Sequence, residues 1–120
     1  MTSRVHKGRA KEQLVKTKLK ALGYEVTRSA ASKGAFDLIA YKPEEKPLFI
    51  QIKSFEIPIH KIGKVAAKKL HQEFLATPPF KYAIKVFIII DKEDNRLNYY
   101  CYFMGSDGQI AHNHKFLNGV

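Results

Sequence analysis

Glu12, Asp37, Gln51 and Lys53 carry polar groups at positions where their surroundings are apolar. Asp37 lies in Phe36-Asp37-Leu38-Ile39-Ala40, near the start of an apolar stretch with strand character, where Asp is disfavoured. Leu48 to Lys53 alternates with period two. Phe49, Gln51 and Lys53 therefore share one face, and Leu48, Ile50 and Ile52 share the other. If the two stretches pair as a hairpin, Asp37 faces Gln51 and Lys53. Two oxygen-bearing side chains on neighbouring strands suit a hard divalent cation such as Mg²⁺, which takes carboxylates, carbonyls and waters. A lysine beside them can orient or help activate a bound water and stabilise charge on an attacked phosphate. Glu12, on the apolar stripe of a helical segment, adds a carboxylate from a packed helix. Each residue also has a plainer reading. Glu12 can offset a helix dipole, Asp37 can satisfy a loop amide at the start of its strand, and Gln51 with Lys53 can form a solvent-facing edge.

The segments that position these residues follow from periodicity. A helix is expected from about Arg9 to Leu22, with Leu14, Val15, Leu19 and Leu22 at helical spacing and Gly23 suited to its end. Its outward positions carry Lys11, Lys16, Lys18 and Lys20. Tyr24 to Ser29 reads as a first strand, and Ala30 to Ala35 as a small-residue loop. Phe36 to Lys42 and Leu48 to Ser54 follow as strands joined by the Pro43–Pro47 turn. Lys61 to Ala76 reads as a second helix, with Ile62, Val65, Ala66, Leu70 and Phe74 inward and Lys61, Lys64, Lys68 and Lys69 outward. The apolar run from Tyr82 to Ile90 suits a buried central strand. Asp91 to Arg96 reads as a polar turn, and Leu97 to Met104 as a last hairpin partner. Beyond Gly105 the pattern weakens to at most a short strand. The expected fold is an α/β domain with a mixed sheet of about five strands flanked by helices. It spans residues 1–120, with a core at about 7–104 and a weakly structured tail at 105–120.

Composition narrows the partners. The 120 residues include 21 Lys and Arg against 11 Asp and Glu, a formal charge of +10. A domain this basic usually meets a polyanion, and nucleic acid is the favoured one. The eight Phe and six Tyr support a real core. Cys101 is the single cysteine and reads as a buried filler within a strand, which excludes an intrachain disulfide and fits a cytoplasmic setting. No apolar run approaches the roughly 20 residues needed to cross a bilayer. His112-Asn113-His114 lacks the flanking ligands that a metal site requires and reads as a solvated tail.

Taken in register, these segments resemble the PD-(D/E)xK nuclease superfamily, and within it the archaeal-type Holliday-junction resolvases. Lys7-Gly8-Arg9-Ala10-Lys11-Glu12 is similar to that family's opening on the first helix. Gly23-Tyr24, Val26-Thr27-Arg28 and the loop Ala30-Ala31-Ser32-Lys33-Gly34 follow in order. Phe36-Asp37 stands in the place of the Pro-Asp strand, and Ile50-Gln51-Ile52-Lys53 in that of the (D/E)xK strand. The likeness is close over residues 7–54. It implies a restriction-endonuclease-like core, Mg²⁺ (or Mn²⁺) held by Glu12, Asp37 and Gln51, a catalytic lysine at Lys53, and a DNA-positioning serine at Ser32. Lys7, Arg9, Arg28 and Lys33 become candidate DNA contacts. The implied protein is a homodimer acting on four-way DNA junctions. Two positions depart from the pattern: Phe36 replaces Pro, and Gln51 replaces an acidic ligand. A Gln carbonyl can still bind a hard cation, but one negative charge is missing.

The expected function is therefore a metal-dependent, structure-selective DNA endonuclease. Two alternatives remain open: a catalytically silent nucleic-acid-binding module of the same fold, and a nuclease acting on linear, nicked or flapped DNA.

Overall fold

A computed structural model describes residues 4–28, 36–76 and 80–119, with side chains from residue 10 onward. Helix α1 spans Arg4–Ala21 and strand β1 spans Glu25–Arg28. Strands β2 (Leu38–Tyr41) and β3 (Leu48–Ser54) follow, then a 3-10 turn over Ile59–Lys61 and helix α2 (Gly63–Ala76). The chain continues through β4 (Ile84–Glu93), β5 (Arg96–Met104), β6 (Ile110–His112) and a short helix α3 (Lys115–Asn118). Among the described residues the strands form a six-stranded sheet in sequence order. Neighbours are antiparallel except β3 and β4, which run parallel because the chain crosses back through α2. The sheet is mixed, as expected, with one more strand than periodicity suggested.

The helices cover opposite faces. On one, Val15 and Leu19 of α1 pack with Leu38, Ala40, Leu48, Ile50, Val86, Ile88 and Ile90. On the other, Leu70 and Phe74 of α2 pack with Phe87, Ile89 and Met104. β4 is buried on both faces over most of its length, which accounts for its unbroken apolar run. Helix α1 ends in a Schellman motif: Gly23, at φ 95°, donates its amide to Lys20 O, and Tyr24 donates to Leu19 O.

Several expectations are corrected. Val65 is 85% exposed, because it lies well around the helix from the Leu70–Phe74 stripe. Leu14 is likewise exposed on α1, leaving Val15 and Leu19 as the fully buried residues among its described side chains. β4 continues through Asp91 to Glu93, and the hairpin turns on Asp94 and Asn95, both at positive φ. That is the backbone sign of a tight primed turn. Asp91 is thus a fully buried strand residue, not part of a polar turn. Its carboxylate accepts from Ile59 N at 2.7 Å, Asn98 Nδ2 at 3.0 Å and Tyr100 Oη at 3.4 Å, tying the β3–α2 connection to the sheet.

The segment expected as a weakly structured tail is integrated into the fold. β6 pairs with β5, Leu117 of α3 is fully buried in the main core, and the Asn118 side chain bonds both backbone groups of Tyr99. These elements are three and four residues long, too short to display a period. No helix among the described residues is long and apolar enough to cross a membrane.

Candidate active site

Asp37 occupies the bend just before β2 and is held to β3 twice. Its amide donates to Ile50 O at 2.7 Å, and its Oδ2 accepts the Ile52 amide, also at 2.7 Å. The two bonds straddle Gln51. The plain reading of Asp37 as an amide acceptor is therefore realised, with the Ile52 amide of the neighbouring strand as the donor. Burial raises the Asp37 carboxyl above its ordinary value, opposed by the Ile52 amide, the Lys53 ammonium and the Arg28 guanidinium. Both cations consequently lie close enough to act on this carboxylate.

Gln51 and Lys53 alternate with Ile50 and Ile52 along β3. Ile50 and Ile52 pack toward α1, so Gln51 and Lys53 stand on the α2 face. Across the parallel pairing Gln51 lies opposite Phe87 and Lys53 opposite Ile89, and both partners sit in the α2-side core. Lys53 Nζ approaches Glu73 Oε2 of α2 at 3.4 Å. The contact is one of charge, since Glu73 Oε2 is buried and makes no hydrogen bond.

Glu12 belongs to the helix on the opposite face. Its side chain is only 18% exposed and meets Arg28 Nε at 3.5 Å, in a recess lined also by Gln13, Lys16 and Leu38. Arg28 thus links the two halves of the site: it pairs with Glu12 and acts electrostatically on Asp37. Its side chain remains half exposed. Lys7 and Arg9 fall on the first turns of α1, where only the backbone is described, and Ser32 and Lys33 lie outside the described residues.

The arrangement brings Asp37, Gln51 and Lys53 together and keeps Glu12 at one remove, joined through Arg28. Among the described residues no three His, Cys, Asp or Glu side chains converge as a ready ligand set. An Asp carboxylate beside a Gln amide is a sparse, all-oxygen donor set. That fits Mg²⁺, which commonly keeps several waters and takes only one or two carboxylates from the protein.

Sequence reasoning passed over Glu73, although it lies three residues after Leu70 and next to Phe74 on the inward stripe of α2. It also passed over Lys85, which is buried on the α2 side with its Nζ 5.1 Å from the centre of the Phe74 ring. An aromatic cluster flanks the site: Phe49 lies 5.6 Å from Phe36 and 5.0 Å from Phe80 between ring centroids. The His112–His114 pair is no solvated tail. The rings stack at 4.6 Å, and His114 packs edge-on against Tyr100 and Tyr102.

No curated protein matches the sequence. The model of the archaeal Holliday junction resolvase (Hjc) family does match it, over residues 3–94, a span that includes α1, the Asp37 bend, β3 and α2. The chain belongs to the archaeal Holliday junction resolvase family.

Proposed function

We propose that this protein is a divalent-cation-dependent endonuclease that cuts four-way DNA junctions. The observation that carries the reading is the fastening of Asp37 to β3 on both sides of Gln51, with Lys53 close enough to act on its carboxylate. Asp37, the Gln51 amide and Glu12 would hold Mg²⁺ or Mn²⁺, which when bound lowers the pKa of a water and neutralises charge on the phosphate. Lys53 places an ammonium where negative charge builds on the attacked phosphodiester, as water adds to phosphorus and one P–O ester bond breaks. Arg28 pairs with Glu12, and its half-exposed side chain can also meet a phosphate. The exposed Lys64, Lys68 and Lys69 of α2 and the +10 charge supply sequence-independent attraction to DNA.

Two copies would be needed to cut two strands symmetrically. An open, mostly apolar groove of about 670 Å³ between α2 and β4–β6, lined by Ile62, Leu70, Phe87, Ile89 and Ile110 among others, offers a surface for such an association. Light scattering at several concentrations measures whether the dimer forms.

The test is cleavage of labelled four-way, flap, nicked and linear DNA with Mg²⁺ or Mn²⁺. Junction cleavage that requires the cation and disappears in Asp37→Ala supports the proposal. Preference for another substrate would move the assignment to a different DNA structure. Gln51 favours a second reading, a binding module that has lost its chemistry. Tight junction binding without cleavage at any cation concentration would establish that one.

A further inference from the structure

We propose that Glu73, from helix α2, supplies a further carboxylate to the cation site from its α2 side, in place of the acidic side chain that Gln51 cannot provide. The inference rests on the nuclease reading and adds a residue to it. Charge makes the first argument. Asp37 is the one carboxylate on the β2–β3 pair and is under the influence of two cations, Lys53 and Arg28; Gln51 beside it is neutral, and the Glu12 charge is paired with Arg28. Such a site holds a doubly charged ion poorly, and Glu73 restores the missing negative charge.

Geometry makes the second. Glu73 adjoins Phe74, whose ring stacks on Phe87 at 5.4 Å between centroids. Phe87 is the partner of Gln51 in the β3–β4 register. The buried pair Leu70 and Phe74 therefore anchors α2 over the strand that carries Gln51 and Lys53, and Glu73 Oε2 comes within 3.4 Å of Lys53 Nζ. Residue chemistry makes the third. Glu73 Oε2 is shielded from solvent yet accepts no hydrogen bond. A carboxylate oxygen in that condition is under-satisfied, and an inner-sphere cation with its waters would satisfy it.

Simple ion pairing with Lys53 is the competing role, and cation affinity separates the two. Mn²⁺ is titrated into the full-length wild type, Glu73→Gln and the double variant Gln51→Glu with Glu73→Gln, followed by calorimetry and by the loss of the free-ion electron paramagnetic resonance signal. Glu73→Gln is expected to bind Mn²⁺ more than about tenfold more weakly, a loss at least as large as that from removing an outer-sphere partner. The double variant is expected to regain most of the loss, because the carboxylate returns from β3. Thermal melts report whether each variant keeps its fold, and Glu73→Gln preserves the side chain's size. Wild-type affinity in Glu73→Gln, with junction cleavage intact in the wild type, overturns the role of Glu73 and leaves the nuclease reading standing. A wild type that neither binds Mn²⁺ nor cleaves overturns both.

Discussion

Asp37 Oδ2 accepts the backbone amide of Ile52 at 2.7 Å, so the carboxylate proposed to hold the cation is also a structural link between the start of β2 and the middle of β3. These two duties pull in opposite directions. Burial raises the carboxyl above its ordinary value of 3.8, so ionising Asp37 costs folding free energy even though the Ile52 amide, Lys53 and Arg28 recover part of it. A raised folded value means the contribution is most favourable below about pH 4 and is lost as pH climbs through the folded pKa. Asp37→Asn keeps an acceptor for Ile52 and removes the charge. It is expected to melt above the wild type at pH 7, with the gap closing near pH 4, while cleavage is abolished. Melting curves of both proteins across that range check the sign. A variant less stable than wild type at pH 7 would show that the charge itself holds the hairpin.

Lys53 offers the opposite balance. Its pairing with Glu73 is partly exposed, 39% and 33% for the two side chains, so losing it costs at most about 1 kcal/mol. Lys53→Met should therefore fold nearly as well as wild type, while kcat falls by roughly 10²–10³-fold, as when one preorganised stabilising group is removed. Single-turnover cleavage measured beside a urea melt separates the two effects. An equal fall in stability and activity would mean that Lys53 acts only through packing.

How much of this was legible before the fold was known depended on element length and on neighbours. Asp37, Gln51 and Lys53 stood out because a strand alternates with period two and apolar neighbours expose any departure. Gln51 and Lys53 then fell on one face, as that alternation requires. Glu73 did not stand out, since a glutamate on a lysine-rich helix resembles any solvated charge until Leu70 and Phe74 are seen to fix the buried stripe. Asp91 was hidden for a different reason. It borders Lys92-Glu93-Asp94-Asn95, and a strand that runs on into its hairpin turn cannot be distinguished by composition from one that stops at Ile90. Glu12 was visible as a carboxylate on an apolar stripe. Its attachment to Arg28 depended on the pairing of β1 with β2, which places Arg28 opposite Leu38.

Asp91 leads to a stability prediction with a functional consequence. It is fully buried and receives the Ile59 amide, the Asn98 side-chain amide and the Tyr100 hydroxyl. Asp91→Ala leaves those donors facing a cavity, at about 1–3 kcal/mol for each buried group left unpaired. Ile59 begins the 3-10 turn that leads into α2, so the loss should also loosen the helix carrying Glu73. Urea denaturation is expected to show a large drop in midpoint, and amide exchange should accelerate through α2 before it does in β4. Uniform acceleration would mean that Asp91 supports the whole sheet and not this connection.

Cys101 and His114 make the closing segment sensitive to acid but not to thiol reagents. The Cys101 thiol is fully buried, and burial pushes its pKa up to about 12, so it should resist alkylation in the native protein and react fully once unfolded. Its backbone amide donates to His114 Nδ1 at 3.3 Å, which requires that nitrogen to be unprotonated. Burial, and then the neighbouring His112, hold His114 below its ordinary value of 6.5. A depressed folded value gives a contribution that is whole above about pH 6.5 and disappears as pH falls through the folded pKa. Protonation would remove the acceptor from Cys101 N and put a positive charge on the ring stacked against His112. Between pH 7.5 and 5, exchange at the amides of Cys101 and Asn113 should therefore rise beyond the intrinsic pH effect, because Asn113 N donates back to Cys101 O. His112→Ala should shift that rise to higher pH, because the neighbour that holds the His114 pKa down is gone. Exchange that follows only the intrinsic rate, with no inflection in either protein, would mean that Leu117 and Asn118 hold the segment without help from the histidines.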